Sequence, residues 1–184
     1  MKYFIIAGEQ SGDLHGSNLI RGLMEADNSA DILCWGGDLM ESAGATLLVH
    51  YSKMAFMGFV TVIKNLGLIT RNLSLCRQHI TEYKPDVVIF IDYPGFNLRI
   101  AEFAKKAGFK TFYYISPKLW AWNEGRVKKM KKYIDRIYII FPFEVDFYKK
   151  HGISVKYQGN PLVDETEKLL SSFPPKVDIN KYLG

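Results

Sequence analysis

The sequence predicts an α/β fold: a doubly wound, mostly parallel sheet with helices on both faces. Three observations predict it. Short apolar runs alternate with helix-length amphipathic stretches along residues 3–157, the β–α–β order that generates parallel strands. "DVVIFI" (86–91) is continuously apolar, the pattern of a strand buried on both faces. The strand-like runs also open directly into loops such as "GEQSGD" (8–13) and "DYPG" (92–95), where sheets of this kind bind ligands.

The elements follow in chain order. Tyr3–Ala7 reads as the first strand and Leu14–Glu25 as the first helix. Asp31–Trp35 is a strand closed by Gly36-Gly37, followed by a short helix at Leu39–Ala43 and a short strand at Thr46–Val49. Leu66–Tyr83 is a long helix leading to the buried strand Asp86–Ile91. Leu98–Ala107 is a helix stopped by Gly108, the residue type that best accepts a left-handed helix end. Thr111–Ile115, Glu124–Lys132 and Arg136–Ile140 continue the alternation as strand, helix and strand. Val145–Lys150 is a helix ended by Gly152, and Val155–Tyr157 a last short strand. We expect residues 1–165 to form one domain. Residues 166–184 read as a linker or domain edge, because Ser171-Ser172-Phe173-Pro174-Pro175 has turn composition, not core composition.

Composition narrows the function classes. The 184 residues suffice for one domain with a full core. With 48% hydrophobic residues the chain is a folded globule, and a net charge of +5 favours anionic partners such as nucleotides, phosphorylated sugars or acidic lipid headgroups. Cys34 and Cys76 are the only cysteines, so neither a disulfide framework nor a zinc cluster is expected. No cofactor and no metal are expected, since no group of residues has ligand-like spacing. Met1-Lys2 leads straight into a strand, and no apolar run reaches the ~18 residues of a membrane span. Those features predict a cytoplasmic protein.

Four stretches carry candidate chemistry. The loop with Gly8, Glu9, Ser11, Gly12 and Asp13 precedes a helix, so its backbone N–H groups can cradle an anion. It reads equally as a strand-to-helix turn with Asp13 or Ser11 as cap. Asp92, in "FIDYPGFN" (90–97), ends the most buried strand, where partial burial raises a carboxyl pKa and suits it to be a general base. An Asx-turn aspartate has the same sequence signature. In "SPKLWAWNEGR" (116–126), Trp120 and Trp122 are suited to stacking on sugar or base rings. The basic run Arg126–Arg136 after them reads as a solvated helix face or as a contact for anionic lipid or phosphate. Finally, "MAFMGFVTVIKNLGLI" (54–69) is apolar without a sustained helical or alternating period. It reads as core or as an exposed apolar surface formed by Phe59, Val60, Val62, Ile63, Leu66 and Ile69.

Taken together, "AGEQSGD", "GGDLM", "MGFV", "KPDVVIFIDYPGFN", "YYISPKLWAWNEGR", "FPFEVDFY" and "YQGNP" resemble, in order, the amino-terminal half of lipid-A-disaccharide synthase. The resemblance implies a Rossmann-like amino-terminal domain of a GT-B glycosyltransferase whose carboxyl-terminal donor domain is absent here. It implies an inverting hexosyl transfer from UDP-2,3-diacylglucosamine to 2,3-diacylglucosamine-1-phosphate, releasing UDP, in bacterial lipid A biosynthesis. Asp92 matches the family's essential aspartate, and Glu9, Ser11, Gly12 and Asp13 match a loop facing the interdomain cleft. The resemblance places Asp92 and Glu9 as catalytic, with Gly8, Ser11, Gly12, Asp13, Met57, Gly58, Asn97, Ser116, Trp120, Trp122 and Arg126 as substrate contacts. The implied partners are the two acylated sugars and an anionic membrane surface, with the protein peripheral on the inner membrane. No nucleic-acid partner is expected, and a homodimer is compatible with the full-length enzyme. The isolated chain is expected to be inactive.

The sequence departs from the commoner family pattern at Gly95, where a second aspartate is frequent, at Asn123, where arginine often stands, and at Asn160, where histidine is usual. Two other classes compete. In an NAD-binding oxidoreductase domain Asp38 would bind a ribose, but the glycines do not match G-x-G-x-x-G. A non-catalytic membrane or partner-docking module would need only the apolar and basic surfaces, and leaves Asp92 and the glycine loop unexplained.

Overall fold

A computed structural model describes residues 1–54, 66–119 and 124–172. The elements in order are β1 (Lys2–Ala7), α1 (Gln10–Ala26), β2 (Asp31–Gly36), α2 (Asp38–Ser42), β3 (Thr46–His50), a single 3-10 turn (Tyr51–Lys53) and α3 (Leu66–Tyr83). They continue as β4 (Val87–Ile91), α4 (Pro94–Lys106), β5 (Lys110–Tyr114), α5 (Glu124–Tyr133), β6 (Arg136–Ile139), α6 (Glu144–Lys150), β7 (Lys156–Tyr157) and α7 (Pro161–Ser172).

The strands form one seven-stranded sheet in the order β3-β2-β1-β4-β5-β6-β7. Every pairing is parallel. This is the doubly wound α/β fold the alternation predicts. The chain builds outward from β1 to β3, returns to the centre, and builds outward again from β4 to β7. The reversal falls between β1 and β4, whose register aligns Ala7 with Ile91.

Strand periodicity explains how both faces are filled. Phe4 and Ile6 of β1, with Val88 and Phe90 of β4, pack under α3, α4 and α5 through Cys76, Ile80, Ile100, Ala104 and Met130. The alternate residues Tyr3, Ile5, Ala7, Val87, Ile89 and Ile91 join Ile20 of α1 and Met40 of α2 on the other face. Burying each large apolar side chain contributes about 1.5–3 kcal/mol, so the central strands must be apolar at every position. Cys34 and Cys76 are free and buried; burial pushes the Cys34 thiol up to about 12 and Cys76 well up, so both behave as core residues.

Two boundaries differ instructively from the sequence reading. Helix α1 starts at Gln10, not Leu14, so the glycine loop is mostly the first turn of a helix. Helix α4 starts at Pro94, not Leu98, because proline at the first helical position forfeits no hydrogen bond. In α7 the backbone runs helically through residues 165 and 166 without a break. Asn160 caps that helix, accepting the Leu162 N–H at 3.1 Å. No described helix is long and apolar enough to cross a membrane. A groove of about 680 Å³ lies over the sheet face beyond α1, lined by Leu19, Leu23, Ile89, Phe112, Tyr138 and others.

Candidate active site at the β1–β4 switch point

The switch point sets the carboxyl ends of β1 and β4 side by side and opens a crevice between their loops. Glu9 comes from the first loop and Asp92 from the second. Both are half-buried. Burial first, and then the nearby Glu9 carboxylate, push the Asp92 carboxyl above the usual carboxylate range. The Tyr93 N–H and the Lys118 ammonium oppose that rise. Ser11 donates its hydroxyl proton to Glu9 Oε1 at 2.7 Å, which orients the Glu9 side chain at the start of α1.

The backbone at Asp92 is unusual. Asp92 and Tyr93 have φ of +41° and +46°, a left-handed conformation uncommon for residues with a side chain. The resulting sharp turn ends β4 and starts α4 at once. Tyr93 lays its ring where a Cβ on residue 8 would stand, so only glycine fits at Gly8. Its hydroxyl reaches on to the Met54 carbonyl at 3.2 Å. Burial, and secondarily Glu9, raise the Tyr93 phenol.

Several substrate contacts expected from sequence have other partners. Gly8 makes room for Tyr93, as above. Gly12 faces Ala7 and Ile91, and a Cβ there would lie 3.1 Å from Ala7 Cβ; its role is close helix–strand packing. Asp13 is buried and accepts the N–H groups of Gly37 (2.8 Å), Leu39 (3.1 Å) and Met40 (3.1 Å). It caps α2, not its own helix. Asn97 is wholly buried, its amide committed to the Ile91 and Asp92 carbonyls. Ser116 is buried at the end of β5 and bonded to the Tyr148 hydroxyl. All five of these residues have a packing or hydrogen-bonding part in closing the loops beyond the strands.

Ser11 remains exposed. Arg126, half-buried on α5, acts electrostatically on the Tyr113 phenol. Met57, Gly58, Phe59, Val60, Val62, Ile63, Trp120, Trp122 and Asn123 lie outside the described residues, as does the side chain of Leu66. Ile69 is half-buried against the core beneath α3, so it is at least partly a packing residue. On α5, Val127 and Met130 are buried while Lys128, Lys129, Lys131 and Lys132 are exposed, giving one basic face. Gly95 is exposed, with open space where a side chain would project. Asp38 lies 3.6 Å from His50 Nε2. Among the described residues no three His, Cys, Asp or Glu side chains are grouped to hold a metal ion.

Two further charged residues lie near the crevice. Lys118 follows Ser116-Pro117 and acts electrostatically on both Asp92 and Glu144. Glu144 is 1% exposed, accepts the Phe141 N–H at 3.2 Å through Oε2, and is pushed up by burial. Each lies a few residues beyond the end of a strand, β5 for Lys118 and β6 for Glu144, a positional signal available in the sequence.

Comparison with known proteins decides the family. A family profile described as lipid-A-disaccharide synthetase matches residues 3–173. The chain belongs to the lipid-A-disaccharide synthetase family. The lipid-A-disaccharide synthase of Geobacter metallireducens is 44% identical over 170 residues, covering 92% of this chain and 44% of that protein. The Coxiella burnetii synthase is 39% identical over 167 residues, covering 91% and 44%. The chain thus spans less than half the length of these family members. Among solved structures, UDP-GlcNAc 2-epimerase from Neisseria meningitidis, bound to UDP-GlcNAc, superposes with a TM-score of 0.67 at 12% identity, over 94% of this chain and 50% of that one. A putative UDP-N-acetylglucosamine 2-epimerase from Listeria monocytogenes gives 0.70 at 10% identity, over 98% and 50%. The fold these share with this chain is the Rossmann-like half of a GT-B architecture.

Proposed function

We propose that this chain is the amino-terminal, acceptor-side half of a lipid-A-disaccharide synthase. The reaction joins the glucosamine of UDP-2,3-diacylglucosamine to 2,3-diacylglucosamine-1-phosphate and releases UDP. The observation that carries the proposal is the half-buried Asp92 beside Glu9 at the switch point, in a chain whose relatives are named for this synthesis.

In the proposed mechanism the acceptor hydroxyl oxygen attacks the anomeric carbon of the donor. Its proton passes to Asp92, and the sugar–phosphate C–O bond breaks with its electron pair leaving on UDP. A single displacement of this kind inverts the anomeric centre. Burial and Glu9 make Asp92 a stronger base than an exposed carboxylate. Backbone N–H groups at the start of α1 and the positive charges of Lys118 and Arg126 favour the departing or acceptor phosphate. Most UDP contacts come from the carboxyl-terminal half, and neither metal nor cofactor takes part. The apolar stretch from Phe59 to Ile69 and the basic face of α5 hold the enzyme peripherally on the cytoplasmic side of the inner membrane, where its acylated substrates reside.

Supplying the carboxyl-terminal half of the Geobacter metallireducens relative, fused after residue 172, tests the reading. Labelled disaccharide should form from the two acylated sugars with the fusion and not with either half alone. A folded fusion that releases no UDP would contradict it.

A further inference from the structure

Three bonds converge on the backbone of one residue. Asn97 Nδ2 donates to the Asp92 carbonyl at 2.8 Å and to the Ile91 carbonyl at 3.1 Å. The Tyr113 hydroxyl donates to the same Asp92 carbonyl. The Asp92 N–H is held by the Tyr114 carbonyl of β5 at 3.4 Å. Asn97 and Tyr113 are both fully buried, so neither reaches a ligand directly. Asn97 comes from the first turns of α4 and Tyr113 from β5. Two elements on different sides of β4 therefore clamp one peptide.

That peptide needs clamping. Asp92 and Tyr93 are consecutive left-handed residues, each with a side chain, a conformation that persists only when its surroundings over-determine it. The Asn97 amide also sacrifices its other end: Oδ1 is buried with no hydrogen-bond partner. The reversed amide would satisfy nothing, because it would set Oδ1 against two carbonyl oxygens. The side chain is oriented for the turn at the expense of its own acceptor.

We propose that Asn97 and Tyr113 are positioning residues that hold the left-handed turn at Asp92, and thereby aim its carboxylate into the crevice between β1 and β4. The proposal rests on the reading of Asp92 as the catalytic base. If the turn relaxes, the Asp92 carboxylate swings toward solvent and away from Glu9. Because the two donors share one carbonyl, each partly covers for loss of the other. Removing both should therefore cost more than the product of the single losses.

Two readouts test this. The first needs no activity: carbon-13 NMR titration of the Asp92 side-chain carboxyl in the 184-residue chain. The charged and titratable groups facing that carboxyl are Glu9 at the start of α1, Lys118 after β5, and Tyr113 on β5. In the unaltered chain Asp92 should titrate above the ordinary carboxylate range. In Tyr113→Phe it should move part of the way back, and in Asn97→Ala/Tyr113→Phe it should return to that range. The second readout is turnover of the fused enzyme. Each single variant should lower kcat about 3- to 10-fold with KM little changed, and the double variant more than 100-fold. If Asn97→Ala does not fold, Tyr113→Phe, which keeps the buried ring, carries both measurements. Folded variants whose Asp92 titration and kcat match the unaltered protein would overturn the proposal. If Asp92→Asn leaves turnover intact while the titration still shifts in the variants, the base assignment fails and the clamp stands.

Discussion

At the scale of single residues, Asp92 holds a carboxylate where burial and Glu9 both oppose its charge. A raised folded-state pKa means the folded protein binds this proton more tightly than the unfolded chain does. Asp92 therefore favours the fold below the unfolded carboxyl pKa of about 3.9, and that contribution is lost as pH rises through the folded value. Asp92→Asn should accordingly raise the urea midpoint at pH 7.5, with the gain vanishing near pH 3.5. An unchanged midpoint at both pH values would show that Asp92 is no strained charge. Gly12 makes a second residue-scale case. The crowding against Ala7 and Ile91 predicts that Gly12→Val loses about 1–3 kcal/mol of stability, the usual cost of overpacking, as measured by urea denaturation. The loss would come from packing, not from a blocked phosphate cradle. Gly95, by contrast, has open space around it, so Gly95→Asp, which installs the family's commoner residue, should fold with an unchanged midpoint.

At the scale of elements, Asp13 ties α1 to α2 through three backbone amides. Asp13→Ala leaves those buried donors without an acceptor, and should cost roughly 2–3 kcal/mol, within the range for unsatisfied buried groups and lost caps. Thermal or urea denaturation measures it. This element also marks how far the sequence could be read. Strands β1, β4 and β5 were legible because their apolar runs and the glycines or prolines after them point to one structure. The position of Asp92 at the end of β4 was legible for the same reason. What Asp13 bonds was not legible, since its partners lie 24 to 27 residues away and no local pattern encodes them. The start of α1 was misplaced because glycines suggest a loop, although Gly12 and Gly16 sit within the helix to let it approach Ala7 and Met40. Asn97 enters the substrate contacts only through the family resemblance, and its burial and its bonds to the Ile91 and Asp92 carbonyls emerge only in the folded chain.

At the scale of the whole molecule, the parallel sheet places Asp92, Lys118 and Glu144 after successive strands β4, β5 and β6, all along one edge. The proposed membrane surface belongs at this scale too. Replacing Val60, Ile63 and Leu66 by serine should reduce sedimentation of the chain with anionic liposomes while far-UV circular dichroism stays unchanged; cooperative unfolding of that variant would mark the stretch as core. The central claim is that Asp92 takes the acceptor's proton. Its most direct measurement is the pH dependence of kcat for the fused enzyme, with Asp92 and with Asp92→Asn. We predict an acid limb lying above the ordinary carboxylate range in the first, and a loss of about 100-fold or more in the second, in the range of lost acid–base catalysis. A folded Asp92→Asn enzyme with the same acid limb and near-normal turnover would contradict the account.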